Sequence, residues 1–422
     1  MKENSRIVNL GIDGLVFLAL YYELSFVFSD FEISAVFGAV IFLAYIVLLL
    51  FNKHFIFQIR LNSAFQSNSL FWLILLIICI NYPRVKQLST DWYYLIIWFL
   101  SALIIQIVNE VRYSNAEKAL RIFIAFGFLM GLAQIIYRFS PSLIEGTLFQ
   151  IISSHDREYN YWITSQGYGF VLSGEVDFTA IVMALGLGAL FYLPRRDNSK
   201  KRIVPFIIGL IIFTGFVLLQ RRGELIATII ALILTSWLTL NNKGLRVWQL
   251  ALINTLLAAI VIFFAFESFL PTSSNNRMLQ MLIDVVNHKD VGNGRTVIYA
   301  AAIKAFLQNP LFGMGWNGFS KISYSTTGLG LIRNVHNIYL QLLCEVGIVG
   351  SIFAYFAIFR ILLNTYEKAK ANETDTKKLF EFALFLQIFI LIYGLVDNPL
   401  YKFYFPLLYT FSLLITEKTM VD

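Results

Sequence analysis

Residues 203–240 read IVPFIIGLIIFTGFVLLQRRGELIATIIALILTSWLTL. Only Arg221 and Arg222 break what is otherwise an almost unbroken apolar run. Each half approaches the ~20 residues that a spanning helix requires. The stretch therefore predicts a hairpin of two membrane helices with a pair of guanidinium groups at its tip. A charge at or near hydrocarbon is costly, so ionisable residues in such places mark functional sites by default.

The rest of the chain has the same character. Of 422 residues 58% are hydrophobic and 14% charged, with 40 Phe and 21 Tyr, the composition of an all-α, polytopic membrane protein. Polar breaks divide it into apolar stretches at 8–28, 33–51, 67–82, 92–109, 119–137, 177–193, 203–220, 224–240, 247–269, 336–363, 379–396 and 403–416. About 12 transmembrane helices are thus expected in a single integral membrane domain, 1–422. The first stretch is longer than a signal h-region and lacks a small-residue cleavage site, so it is expected to be retained.

Twelve spans place both termini on one face, and the positive-inside rule then fixes the face. With the N-terminus cytoplasmic, 20 of the 33 Lys and Arg fall on cytoplasmic segments and 13 on outer ones. Residues 194–202 (PRRDNSKKR) and Lys368, Lys370, Lys377 and Lys378 dominate the cytoplasmic set. The net charge of +7 mainly reflects this bias and calls for no nucleic-acid partner. Arg221 and Arg222 fall on the opposite, outer face.

Two outer segments are long, 138–177 and 270–335. Loops of more than ~15 residues in compact domains are usually functional or disordered, and the second has helical patterning. Met278, Leu279, Leu282, Val285 and Val286 suit a helix lying on the membrane surface, and 296–308 a second helix, with Thr296 as cap and Asn309-Pro310 as stop. The expected fold is therefore a helical bundle with a long, partly helical extracytoplasmic loop at 270–335. Cys79 and Cys344 fall within predicted spans and are assigned to packing. The sequence has no P-loop, His-rich tract or carboxylate cluster with metal spacing, so neither a metal nor another cofactor is expected. His54, His155 and His288 have no partner pattern.

The most distinctive stretch begins at Gly292 with GNGRTVIYAAAIKAFLQNPLFGMGWNGF and resumes at Asn334 with NVHNIYLQLLCEVGIVG. Arg295 stands before an aromatic-containing helix. Asn309-Pro310 is followed by Gly313-x-Gly315, and His336-Asn337 opens a span that runs into Glu345-x-Gly347. In these features the chain resembles the O-antigen ligase and Wzy-type polymerase superfamily of bacterial envelope glycan synthesis. Arg222-Gly223 looks like that family's Ser-Arg-Gly element, with Gln220-Arg221 in place of the usual small residue. Gly174-Glu175 resembles its Glu-Pro-Asn element, with Val176-Asp177 in place of Pro-Asn.

The resemblance implies an enzyme of the bacterial inner membrane with its active site on the extracytoplasmic face. The implied donor is an undecaprenyl diphosphate-linked oligosaccharide, and the acceptor is another lipid-linked repeat unit or lipid A-core. A chain-length regulator protein is a further implied partner. Arginine suits a diphosphate leaving group, because its planar fork binds phosphate bidentately and stays charged, a role that magnesium fills elsewhere. Arg222 and Arg295 are the expected diphosphate ligands, Arg295 beside the free amides of a helix N-terminus. His336 is the expected base, since a neutral imidazole can accept the proton of an attacking sugar hydroxyl. Glu345, nine residues on in a continuous helix, would lie half a turn out of phase and about 13 Å deeper. Asn337 belongs to the same motif and is a possible substrate contact. Arg221 is expected either to reach lipid phosphate or to contact substrate, and Glu175 and Asp397 to serve as helix-end carboxylates or substrate contacts.

Three activities fit this pattern: a polymerase, a ligase that transfers glycan to lipid A-core, and a flippase for lipid-linked oligosaccharide. A flippase is expected to line a central cavity with charge and to keep its loops short. Here the polar residues gather on one face beside a long loop, which favours the transferase. The divergent, Phe- and Ile-rich chain resembles serotype-specific polymerases.

Overall fold

A computed structural model describes residues 101, 104–105, 110–171, 175–193, 203–239, 295–320, 334–371, 376–402, 404–417 and 419–421. These residues form helices α1 (Tyr113–Phe139), α2 (Pro141–Ile151), α3 (Ser154–Ser165), α4 (Val176–Tyr192), α5 (Ile203–Leu218), α6 (Arg222–Thr239), α7 (Arg295–Gln308), α8 (Ile338–Ala371), α9 (Thr376–Tyr393) and α10 (Tyr404–Glu417). Seven of the predicted apolar stretches fall on them and coincide with α1, α4, α5, α6, α8, α9 and α10. Among the described residues α1, α6 and α8 are long and apolar enough to cross a membrane, and α4 and α5 are shorter apolar helices. The expected surface helix at 275–287, the amides before Arg295, Gly174, Cys79, His54, His288 and the side chain of His155 lie outside the described residues.

The core is built around α4, α9 and α10, most of whose side chains are buried. Helix α1 packs along α4 and α5, α6 along α9, and α9 also against α8 and α10. Small residues set the closest approaches. A Cβ on Gly127 would meet the Gly186 backbone, and one on Gly215 the Gly131 backbone. Lipid tails are as apolar as leucine, so helices in a membrane associate by this kind of close packing.

The structure differs from the sequence reading in three places. A short parallel pair, β1 (Glu110–Arg112) with β2 (Thr419–Val421), joins two segments distant in sequence within the otherwise helical fold. Helix α7 starts at Arg295, so Thr296 is an interior residue and not its cap. The span beginning near His336 is not one continuous helix, because α8 breaks at Gly347, where φ is +70°.

The break in α8 explains the glycine motifs. After α7 stops at Asn309-Pro310 the chain turns through Gly313 and Gly315, both at positive φ, and docks on the break. Met314 N–H donates to the Cys344 carbonyl at 3.0 Å and Gly315 N–H to that of Glu345 at 2.9 Å. Ile348 N–H in turn donates to the Pro310 carbonyl at 2.8 Å. Backbone groups freed by a broken helix at membrane depth must find partners in the protein, and this loop supplies them. A side chain at Gly313 would collide with the Glu345 carbonyl, and one at Gly347 with that of Leu311.

Candidate active site

Three backbone devices bring the polar side chains together. Asn337 caps α8 by accepting from the amides of Tyr339 and Leu340, both at 3.1 Å, and it donates to the Leu395 carbonyl at 3.2 Å. Its predecessor, His336, adopts φ +54°, a left-handed conformation uncommon outside glycine, and so stands outside the helix. Beyond α9 the chain DNPLYK (397–402) coils through a 3-10 turn at Pro399–Tyr401, which places Asp397 and Lys402 at its two ends.

His336 Nδ1 lies 3.2 Å from Asp397 Oδ1. The other oxygen of Asp397 accepts from the Tyr393 hydroxyl and pairs with Lys402 at 3.2 Å. Lys402 is also paired with Asp177 and lies 4.0 Å from Glu175. Asp177 binds Arg221, whose guanidinium also pairs with Glu224 at 2.6 Å and lies 5.8 Å above the Tyr168 ring. A continuous chain of charges thus runs from the α5–α6 turn to the imidazole. Burial alone would raise the Asp397 pKa, but Lys402 and then His336 outweigh it and hold the carboxyl well below the usual carboxylate range. At Glu175, burial prevails over Lys402 and pushes its pKa up. With Asp397 as acceptor, the neutral histidine carries its proton on Nδ1 and leaves the Nε2 lone pair for an incoming proton. The imidazole is 39% exposed and Asp397 only 8%, so the ring is the open end of the network.

Arg221 is held by two carboxylates within the protein, an arrangement unlike that of a side chain extended to lipid phosphate. The two departures from the family-like elements meet here, since Arg221 replaces the small residue, Asp177 replaces the Asn, and the two form an ion pair. Arg222, half-buried, is the first residue of α6. Arg295, half-buried, opens α7 one turn before Tyr299, whose hydroxyl donates to the His336 carbonyl at 3.4 Å. Glu345 lies apart from this network. It is fully buried and accepts from the amides of Asn317 and Phe319, from Gln341 and from the Tyr401 hydroxyl.

Sequence reasoning passed over Lys402, Tyr393 and Glu224. Lys402 was the one available signal, as a lone basic residue just before an apolar stretch, on a segment that the charge bias is expected to place outside. No curated protein matches the chain. The family model described as O-Antigen ligase matches residues 207–355, from α5 into α8, so over this stretch the chain is similar to that family.

Proposed function

We propose that the protein is a metal-independent, inverting polysaccharide polymerase. It would transfer an undecaprenyl diphosphate-linked glycan to a sugar hydroxyl of another lipid-linked repeat unit at the outer face of a bacterial inner membrane. The observation that carries this reading is His336, fixed by Asp397 through Nδ1 and open to solvent on its other side. The acceptor oxygen attacks the anomeric carbon and its proton passes to His336 Nε2. The bond from that carbon to the diphosphate oxygen breaks, and its electron pair leaves with the diphosphate. Arg222 and Arg295 take up the developing charge, and their bidentate forks serve in place of a divalent cation. Arg221 and Lys402 pair with carboxylates and hold the site together.

An apolar groove walled by Ile338, Leu342, Pro399, Leu400 and Phe405 begins two residues beyond both His336 and Asp397. It suits the isoprenoid chain of a donor whose head lies at the imidazole.

Ligation to lipid A-core is the second reading, favoured by the family description of residues 207–355. Reconstitution of the purified chain with defined lipid-linked repeat units, with and without lipid A-core and in excess EDTA, tests both. Longer lipid-linked chains identify a polymerase, and product on lipid A-core a ligase. Translocation of the donor without bond formation would overturn the transferase reading in favour of a flippase, and loss of activity in EDTA with rescue by magnesium would overturn the metal-free step.

A further inference from the structure

Helix α3 lies in the outer segment 138–177 and is polar overall, yet its exposed face carries two large aromatic side chains. Tyr161 is 51% and Trp162 57% exposed, and their exposed neighbours on this face are Ser154, Glu158, Ser165 and Gln166. The face combines aromatic rings with hydroxyl, carboxylate and amide groups. A helix that lies in a lipid interface instead pairs an apolar face with lysine and arginine.

The helix is rigidly held. Ser153 caps it by accepting from the Asp156 amide at 3.1 Å. The fully buried Asn160 exchanges two 2.8 Å hydrogen bonds with the Val171 backbone. The segment so anchored leads back through Tyr168, under Arg221, and Gly169 N–H donates to the Leu219 carbonyl at 3.3 Å, so α3 is tied to the α5–α6 turn. On the other side the Trp162 ring lies 5.7 Å from that of Tyr159. The Tyr159 hydroxyl hydrogen-bonds the Val176 backbone, next to Asp177. The aromatic face is therefore continuous with the catalytic network and held fixed relative to it.

We infer that the exposed face of α3, centred on Tyr161 and Trp162, is a glycan subsite. A sugar ring has one apolar C–H face and a rim of hydroxyls. The first stacks on an aromatic ring, and the second matches Glu158, Ser165 and Gln166. This face holds the sugars beyond the reacting one, which sets the orientation of the oligosaccharide at His336. The inference deepens the proposed transferase reading and rests on it only for the identity of the glycan.

The test uses the full chain in lipid nanodiscs, with the repeat-unit oligosaccharide released from the lipid-linked donor by mild acid as the probe. Calorimetric titration is expected to show binding to the wild type, about tenfold weaker binding to Trp162→Ala, in line with the loss of one aromatic anchor, and retention in Trp162→Phe. The double variant Tyr161→Ala/Trp162→Ala is expected to lose binding, and Tyr161→Phe/Trp162→Phe, which keeps the ring contacts with Phe149 and Tyr159, to retain it. Undiminished binding by the double alanine variant would overturn the subsite, as would quenching of Trp162 fluorescence by brominated lipid, which would mark a membrane anchor. A chain that binds the fragment through this face but makes no product would overturn the transferase reading alone. Product formation with unchanged fragment binding by the alanine variants would overturn the subsite alone.

Discussion

Glu345 and Asp397 are both carboxylates with four polar partners, and the contrast between them separates architecture from chemistry. Every partner of Glu345 is a neutral donor, and the group is sealed from solvent. Two partners of Asp397 are the cation Lys402 and the exposed His336. A sealed ring of neutral donors fixes a loop against a broken helix. A network ending in an exposed imidazole can move a proton. The 3-10 turn joins them, with Asp397 and Lys402 at its ends, Tyr401 on Glu345, and Asn398 bonded to Gln341, itself a partner of Glu345. The sealed network thereby positions the open one.

The largest effect is expected at the open end. His336→Ala should reduce turnover by about 10²- to 10⁴-fold, the usual contribution of a general base, while donor binding persists through the arginines. Asp397→Asn should lose a comparable share, because an amide that donates to Nδ1 selects the wrong tautomer. The pH profile gives the sign. The Asp397 pKa is lowered, so its carboxylate stays ionised until the pH falls below the usual carboxylate range near ~4. Rate lost on acidification above that range therefore does not come from loss of the Asp397 carboxylate. Wild-type turnover by His336→Ala would remove the base assignment.

The closed network should respond in stability before chemistry. Glu345→Ala leaves the amides of Asn317 and Phe319 and the Tyr401 hydroxyl without their acceptor, at about 1–3 kcal/mol for each buried group. Gly347→Ala forces a side chain into the Leu311 carbonyl at a backbone angle that suits glycine. Both variants should accumulate poorly in membranes and melt at lower temperature, whereas His336→Ala should melt like the wild type. If Glu345→Ala melts normally but is inactive, the division between the two carboxylates is wrong.

Much of this was legible in the sequence where the signal is periodic or local. Apolar runs with polar breaks gave the helices, because spanning length is fixed by the hydrocarbon thickness. The glycines and Glu345 stood out as a motif, but its cause, a loop docked into a helix break, is a tertiary contact between residues some thirty apart and leaves no trace in periodicity. For the same reason Arg221 could not be assigned from its own segment. Its partner Asp177 lies on another helix, and Lys402 gains its role only when the turn at Pro399–Tyr401 brings it to Asp177 and Asp397. Pairing across elements is set by packing, and pattern in one segment does not encode it.

The smallest expected effect probes that pairing. Arg221 and Asp177 stand at the two places where the family-like elements differ, and each neutralises the other. Arg221→Ser alone leaves Asp177 to Lys402 and strands part of the charge on Glu224. Asp177→Asn alone leaves Arg221 with one carboxylate in place of two. Each single change should cost roughly 1–3 kcal/mol of stability, as for a charged hydrogen bond broken on one side. The double variant Arg221→Ser/Asp177→Asn restores the family-like residues at both positions and should recover most of that loss, which gives a coupling energy of the same size in a double-mutant cycle. Thermal unfolding of the four proteins in detergent measures it. Additive losses would mean that the two residues act independently and that the chain of charges from the α5–α6 turn to His336 is broken at its first link.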